Sequence, residues 1–523
     1  MPAVVTDQFR IFNANNFVES ILDSSNSYYV FLGLSNPIKD TNPGFGRTTN
    51  NNWPSDPVDN FQNLSHNKDT ILFGKKISTG NIRRVVKRNN WVANTRYDMY
   101  RHDYSITNPS PNSQQASLYE SKYYVVNSDL RVYVCIDNGS SGAVGSDSAK
   151  GGNSLDEPTF TDTEPSAAGT SGDGYVWKYL FTISPSDIIK FDSTEFIALP
   201  NDWPTSTDTQ IQIVREAGDS RINNNQIKKV YIENSGSTTT PVYQQGDHSL
   251  DILGDGTGGV VNVTVNTSGK ITKTIVTSGG TGYTYGIVDL DPIHVTNSIA
   301  LEDRAKLIPI IPPSRGHGFD LYTELGADKI LIYTRFDDST PDFPTTTKFS
   351  QVGILKNPSR FSDESSVFDE INFSSAFAMK LTGNPGTTPA VGTIISQGLA
   401  KGYVTSYNTQ TNVLKYSRDR SLYFGNDTPT NQTDYIGISS ASKITEFTQG
   451  GGNVDPLGIG ISSFSGGTSV VNNKIVDLGV TFTNGLANPE INKQTGDIIY
   501  IDNRALVIRD ARQKEDVKII LEF

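Results

Sequence analysis

A single cysteine, Cys135, stands in a chain of 523 residues. It can neither close an internal disulfide nor build a cysteine zinc site, so neither staple supports the fold. Its flanks, Arg131-Val132-Tyr133-Val134-Cys135-Ile136, read as a strand, with the sulfur as a small packed group rather than a reactive thiol. Charge is scarce too: 19% of residues are charged, and 44 Lys+Arg against 56 Asp+Glu leave a net −12. Nucleic-acid binding would ask for a basic face, so that balance argues against it. No run approaches the ~18 apolar residues of a membrane span. The opening Met1-Pro2-Ala3-Val4-Val5-Thr6-Asp7 lacks the basic and then apolar segments of a signal peptide, which predicts a protein made in, and retained in, a cytoplasm. Gly 46 and Pro 25 are near ordinary globular usage, which excludes a collagen-like chain, and the low charge excludes charge-driven disorder.

Catalytic patterns are equally thin. The five histidines, His66, His102, His248, His294 and His317, show no pairing three or four residues apart that would put two metal ligands on one helix face. Gly254-Asp255-Gly256-Thr257-Gly258-Gly259 fits the spacing of a dinucleotide loop, but β-branched residues follow it where a helix N-terminus would have to cradle the phosphates. Asp156, Glu157, Asp162 and Glu164 could pair as acid and base in glycoside cleavage; on a loop rich in Ser, Gly and Thr they read better as solvated charge. Ile82-Arg83-Arg84-Val85-Val86-Lys87-Arg88, beside Trp91, is the one basic cluster, and in so acidic a chain it favours a protein contact over a nucleic acid. No enzyme, cofactor or metal is expected.

What is present is strand chemistry. Phe9, Phe12, Phe17, Ile21 and Leu22 suit a short amphipathic helix, followed by the strand-forming Tyr28 to Leu34. Asp56-Pro57 is a helix-start signal, and the apolar spacing after it predicts a helix over about 57–75, with little helix beyond. Thereafter strands alternate with turns. Tyr123–Val126 is expected to pair with Val132–Ile136, and Val260–Val265 with Ile271–Val276 through Ser268-Gly269. Val404–Tyr407 is expected to pair with Val413–Tyr416, and Asp497–Ile501 with Arg504–Ile508 through Asp502-Asn503. Tyr175, Trp177, Tyr179 and Phe181 alternate onto one face of a strand, with Val176 and Leu180 on the other, so that strand should be buried on both sides.

Gly172-Asp173-Gly174-Tyr175-Val176-Trp177-Lys178-Tyr179-Leu180-Phe181 closely resembles a segment of the baseplate wedge subunit of T-even-like contractile-tailed phages, the one present in pairs in each wedge. Four further stretches resemble the same family in the same order: Phe9-Arg10 with Tyr28 to Ser35; Arg88 to Tyr97; Phe349 to Pro358; and Gly496 through Phe523. The resemblance implies a mainly β chain with a few helices near its N-terminus and a layered β-sandwich core. That core would be discontinuous, 1–205 with 301–362 and 491–523, interrupted by two β-rich inserted domains at 206–300 and 363–490. It further implies a structural, non-enzymatic subunit of the virion tail baseplate, assembled in the host cytoplasm. Such a subunit binds other wedge proteins and a second copy of itself and takes part in the rearrangement at infection. Trp91, Arg96, Tyr97, Tyr175, Trp177, Tyr179 and Phe181 are the candidate core or interface residues. The alternative is a tail-fibre-like protein that binds host-surface glycans through exposed aromatics of the two insertions.

Overall fold

The first helix, Asp7–Leu22, buries Ile11, Ala14, Val18 and Ile21. That 3-4-3 spacing is one stripe of an α-helix. Phe9 and Phe12, which the residue types alone put on the buried side, are exposed instead. The computed structural model describes residues 6–34, 64, 67–236, 242–295, 300, 303–337, 347–418, 445–510 and 513–523. It is mainly β, with 41% strand and 13% helix spread over many sheets. Of the helix expected over 57–75, residues 57–63 and 65–66 lie outside the described residues, as do the opening residues 1–5, and Asn67 to Asp69 are helical. At its far end the chain is a strand, Ile71–Lys76. There Ile71, Leu72 and Phe73 gain more from a buried sheet than from a helix. Helix also recurs later than expected, at Pro185–Lys190, Thr209–Gly218, Ser220–Asn223 and Leu321–Leu325. Short polar caps start them: Asp208 accepts from the amides of Gln210 and Ile211, and Asp320 from those of Tyr322 and Thr323. Among the described residues no helix is long and apolar enough to cross a membrane.

The chain divides into two compact units, one drawn from Met1–Val18, Arg83–Leu331 and Ile520–Phe523, the other from Glu19–Ile82 and Ile332–Ile519. In the first unit, Tyr124–Val126, Arg131–Asn138, Tyr175–Thr182 and Ser166–Ala167 form one antiparallel sheet in that order. The expected pairing of its first two strands is observed, and Cys135 lies fully buried on the second, its thiol pushed well up by burial. A second sheet runs Ile271–Thr281, Thr257–Val265, Gly246–Gly254, Gly286–Val288, with the expected turn at Gly269, whose φ is +72°. Val261, Val263, Leu250, Ile252 and Tyr283 give it a core of its own.

In the second unit, five strands lie in the order Asn372–Ser374, Ile71–Lys76, Tyr28–Gly33, Lys348–Lys356, Asp497–Ile508. Gly353 is required there, because a Cβ would fall 2.4 Å from the Phe31 ring. The expected hairpin at Asp502-Asn503 does not form: Asp497–Ile508 is one uninterrupted strand along Lys348–Lys356. Long-range contacts hold the dipeptide extended, since Asn503 Oδ1 accepts from Gln351 Nε2 at 2.8 Å and both residues pair with the Lys348–Lys356 strand. The chain ends on a strand, Glu515–Glu522, which lies in a sheet beside Lys329–Phe336. A further sheet, Ile394–Gln397, Ala400–Asn408, Val413–Ser417, Phe377–Lys380 and Leu486–Ala487, contains the hairpin expected around residues 408–412 and has a separate core around Met379, Val404 and Leu414.

Candidate interaction surface

Tyr175–Thr182 builds the aromatic centre of the first unit. Tyr175 and Trp177 stack with ring centroids 5.4 Å apart, Tyr97 meets Trp177 edge-on at 5.8 Å, and Tyr179 meets Tyr133 at 5.7 Å. Phe181 packs against Trp203 at 6.4 Å. Such offset and edge-on pairs add about 0.5–1.5 kcal/mol each beyond the area they bury. The Tyr175 hydroxyl accepts from the Tyr97 amide at 2.8 Å, which locks the Arg88–Tyr97 turn onto this strand. Tyr97, Tyr175, Trp177, Tyr179 and Phe181 are therefore brought together inside one core, with Trp91 packed against it and its indole nitrogen donating to Ser154 Oγ at 3.0 Å. Arg96 points outward and pairs with Asp147 at 3.6 Å.

The opposite face of the same strand is not wholly apolar. Lys178 sits there with Val176 and Leu180, fully buried, its ammonium donating to the Thr163 carbonyl at 2.5 Å. Burial, reinforced by the charge of Lys228, pulls it down to about 8, with Glu324 and Glu164 opposing. Close to it in space, though far along the chain, His317 and Glu324 form a buried pair, Nδ1 to Oε1 at 2.7 Å, while the second carboxylate oxygen accepts from the Gly318 amide at 2.6 Å. Tyr100 stands edge-on to the His317 ring at 4.7 Å. Lys178, His317 and Glu324 escaped the sequence reading because neither spacing nor a motif marks them; the one signal was a lysine breaking the Val176–Leu180 face.

The basic cluster is satisfied from within. Arg83 pairs with Asp187 at 2.9 Å, Arg84 lies over the Tyr322 ring at 4.1 Å and donates to Asn15, and Arg88 binds Asp192. Lys87 is left at the rim of a cleft of about 760 Å³. Its floor is Ile11, Val86, Tyr119, Tyr124 and Leu325, and its rim carries five carboxylates against four cations. Its lining includes no histidine or cysteine; the Ser117 hydroxyl donates to the Asp7 carboxylate at 2.8 Å, and the balanced rim presents no strongly basic field for phosphates. The acidic loop residues tie loops together: Asp156 accepts from the Ser171 amide, Glu157 from that of Ser128, and Glu164 pairs with Lys228 at 2.6 Å. In the glycine loop, a Cβ on Gly256 would meet the Tyr283 ring at 2.4 Å, and strand, not helix, follows. Those glycines serve a close approach of Tyr283. Among the described residues no cluster of three or more His, Cys, Asp or Glu side chains could hold a metal.

Residues 3–239 match the family described as Phage-Gp8: Bacteriophage T4, Gp8. That stretch is just under half of the 523 residues. It holds both the Arg88–Tyr97 turn and the Tyr175–Phe181 strand, and so the whole aromatic centre described above. It also runs past residue 205 into the helices Thr209–Gly218 and Ser220–Asn223. Lys348–Lys356 and the C-terminal strands lie beyond it. No curated protein matches the chain.

Proposed function

We propose that this chain is a structural subunit of a phage tail baseplate, and within it a wedge protein that binds neighbouring wedge proteins and a second copy of itself. The observation that carries the reading is the match of residues 3–239 to the bacteriophage T4 Gp8 family. It is supported by where the five resembling stretches lie. Tyr28–Gly33, Lys348–Lys356 and Asp497–Ile508, far apart in sequence, are neighbouring strands of one sheet. Arg88–Tyr97 and Tyr175–Phe181 share the aromatic core.

Within each compact unit, segments distant in sequence are adjacent in space, as insertions into an older core would leave them. The cores around Val261 and around Met379, Val404 and Leu414 support reading 206–300 and 363–490 as inserted domains, though Val214 and Tyr231 of the first stretch are part of the aromatic core. The subunit works by shape and contact rather than by chemistry, holding neighbours in place and exchanging contacts when the baseplate rearranges. Quantitative mass spectrometry of purified tails tests this. The chain should be present at a multiple of six copies per tail, and its absence, or a count incompatible with sixfold symmetry, overturns the reading.

The glycan-binding alternative drew on exposed aromatics in the insertions. Among the described residues of the insertions, Tyr231, Tyr243 and Tyr283 are buried, as are Phe373, Phe377, Tyr403, Tyr416, Phe447 and Phe482, Tyr407 and Phe464 are half-buried and Tyr285 is largely exposed; Tyr423, Phe424 and Tyr435 lie outside the described residues. No observation favours that second reading.

A further inference from the structure

The outer face of the Gly246–Gly254/Gly286–Val288 strand pair carries side chains that water alone does not explain. Leu253 and Ile287 are cross-strand partners. Both point away from the core formed by Leu250, Ile252 and Val288, and they are 54% and 66% exposed. Tyr285, in the bend immediately before the Gly286–Val288 strand, is 58% exposed as well. One step along the ladder in the other direction, the Asp289 amide donates to the Asp251 carbonyl at 2.9 Å, which sets those two aspartates opposite each other. Beyond the apolar pair, Asp255 accepts from the Thr284 hydroxyl and from the Thr284 and Tyr285 amides. These bonds hold its carboxyl below the usual range, so it stays charged. The face thus reads as an apolar centre with carboxylates at both ends.

Like charges directly opposite on a sheet cost stability, and apolar side chains gathered on an exposed sheet face do so too. No lysine or arginine among the described residues forms an ion pair with Asp251, Asp255 or Asp289. Both unfavourable features are relieved by one kind of occupant, a segment that brings an apolar group between two cations. An anionic polymer such as a phosphorylated cell-surface glycan would be repelled by the same carboxylates.

We propose that this face docks a segment of a partner protein in which an apolar side chain is flanked by lysine or arginine. Within the baseplate reading, on which the identity of the partner rests, that segment belongs to a neighbouring tail protein. The apolar pair forms the water-excluding anchor and the aspartates set register and orientation, the usual division between the centre and rim of an interface.

The test uses the purified full-length chain on an array of overlapping peptides from the structural proteins of the phage particle, together with an equal set of random-sequence peptides. The expected result is that bound peptides share the basic–apolar–basic pattern and that binding weakens as salt is raised. The signal should fall roughly tenfold or more in Leu253→Ser/Ile287→Ser and in Asp251→Asn/Asp289→Asn. Leu253, Ile287 and Asp251 are exposed and Asp289 is half-buried, and unchanged thermal unfolding of both variants verifies their fold. Binding that ignores both double variants, that selects acidic peptides, or that is not seen for any peptide overturns the proposal. If the chain is missing from purified tails while random basic–apolar peptides still bind in an Ile287-dependent way, the surface stands and the baseplate reading falls. A chain present in tails with no such binding gives the reverse.

Discussion

Lys178 sits far from a lysine's ordinary environment. Folded, it gives up its proton at about 8, while an unfolded lysine holds it to about 10.4. Between those values the unfolded chain binds more protons than the folded one, so stability rises with pH across that window. Above about 10 the buried tyrosines reverse the trend: burial raises Tyr100, Tyr123 and Tyr175, so the folded state holds protons that the unfolded state releases. Thermal unfolding followed from pH 7 to 10 should therefore show a rising midpoint that Lys178→Met flattens; an unchanged slope in the variant would show that Lys178 is not its source. Glu324 makes a second residue-scale case. It is wholly buried and serves both His317 and the Gly318 amide, so Glu324→Ala leaves two groups unpaired in the core. A loss of about 3–5 kcal/mol is expected by denaturant titration. Glu157→Ala, on an exposed loop tie, should cost within about 1 kcal/mol.

At the scale of an element, the Leu321–Leu325 helix depends on how it stops. Gly326 ends it at φ +68°, and a Cβ there would stand 2.4 Å from the Tyr119 ring. Gly326→Ala thus meets both the left-handed penalty of roughly 1–2 kcal/mol and a clash with a ring whose hydroxyl is tied to Thr323. Denaturant midpoints should fall by more than Asp208→Ala lowers them; the latter removes only an N-cap worth about 1 kcal/mol. The elements also show where local reading succeeds and fails. Hairpins around Gly269 and Asn408–Asn412 were legible because their turn residues sit between alternating strand formers, and both features are local. Asp502-Asn503 has the same appearance, yet Gln351, about 150 residues away, holds Asn503 in an extended strand. The buried helical stripe was misassigned for a related reason: phenylalanine is the more apolar residue, but burial follows the Ile11–Ala14–Val18–Ile21 spacing.

For the whole molecule, several separate cores, around Trp177, around Val261 and around Val404, predict unfolding in more than one step. Differential scanning calorimetry should give a calorimetric enthalpy above the van't Hoff value; equality of the two would mean that the cores melt as one. The net charge of −12 keeps such a chain soluble before it meets its partners. Composition and alternation by themselves determined that the protein is mainly β, that Cys135 is a packed residue, and that the Tyr175–Phe181 strand is central. Each of those follows from side-chain type at a two-residue period, which any sheet must obey. Only the tertiary structure decided that Lys178 lies inside, that His317 and Glu324 pair in the core, and that the Asp251–Asp289 and Leu253–Ile287 positions share one outer face. Those are meetings between residues of different segments, set by strand pairing and register over long stretches of chain, and no local pattern encodes them.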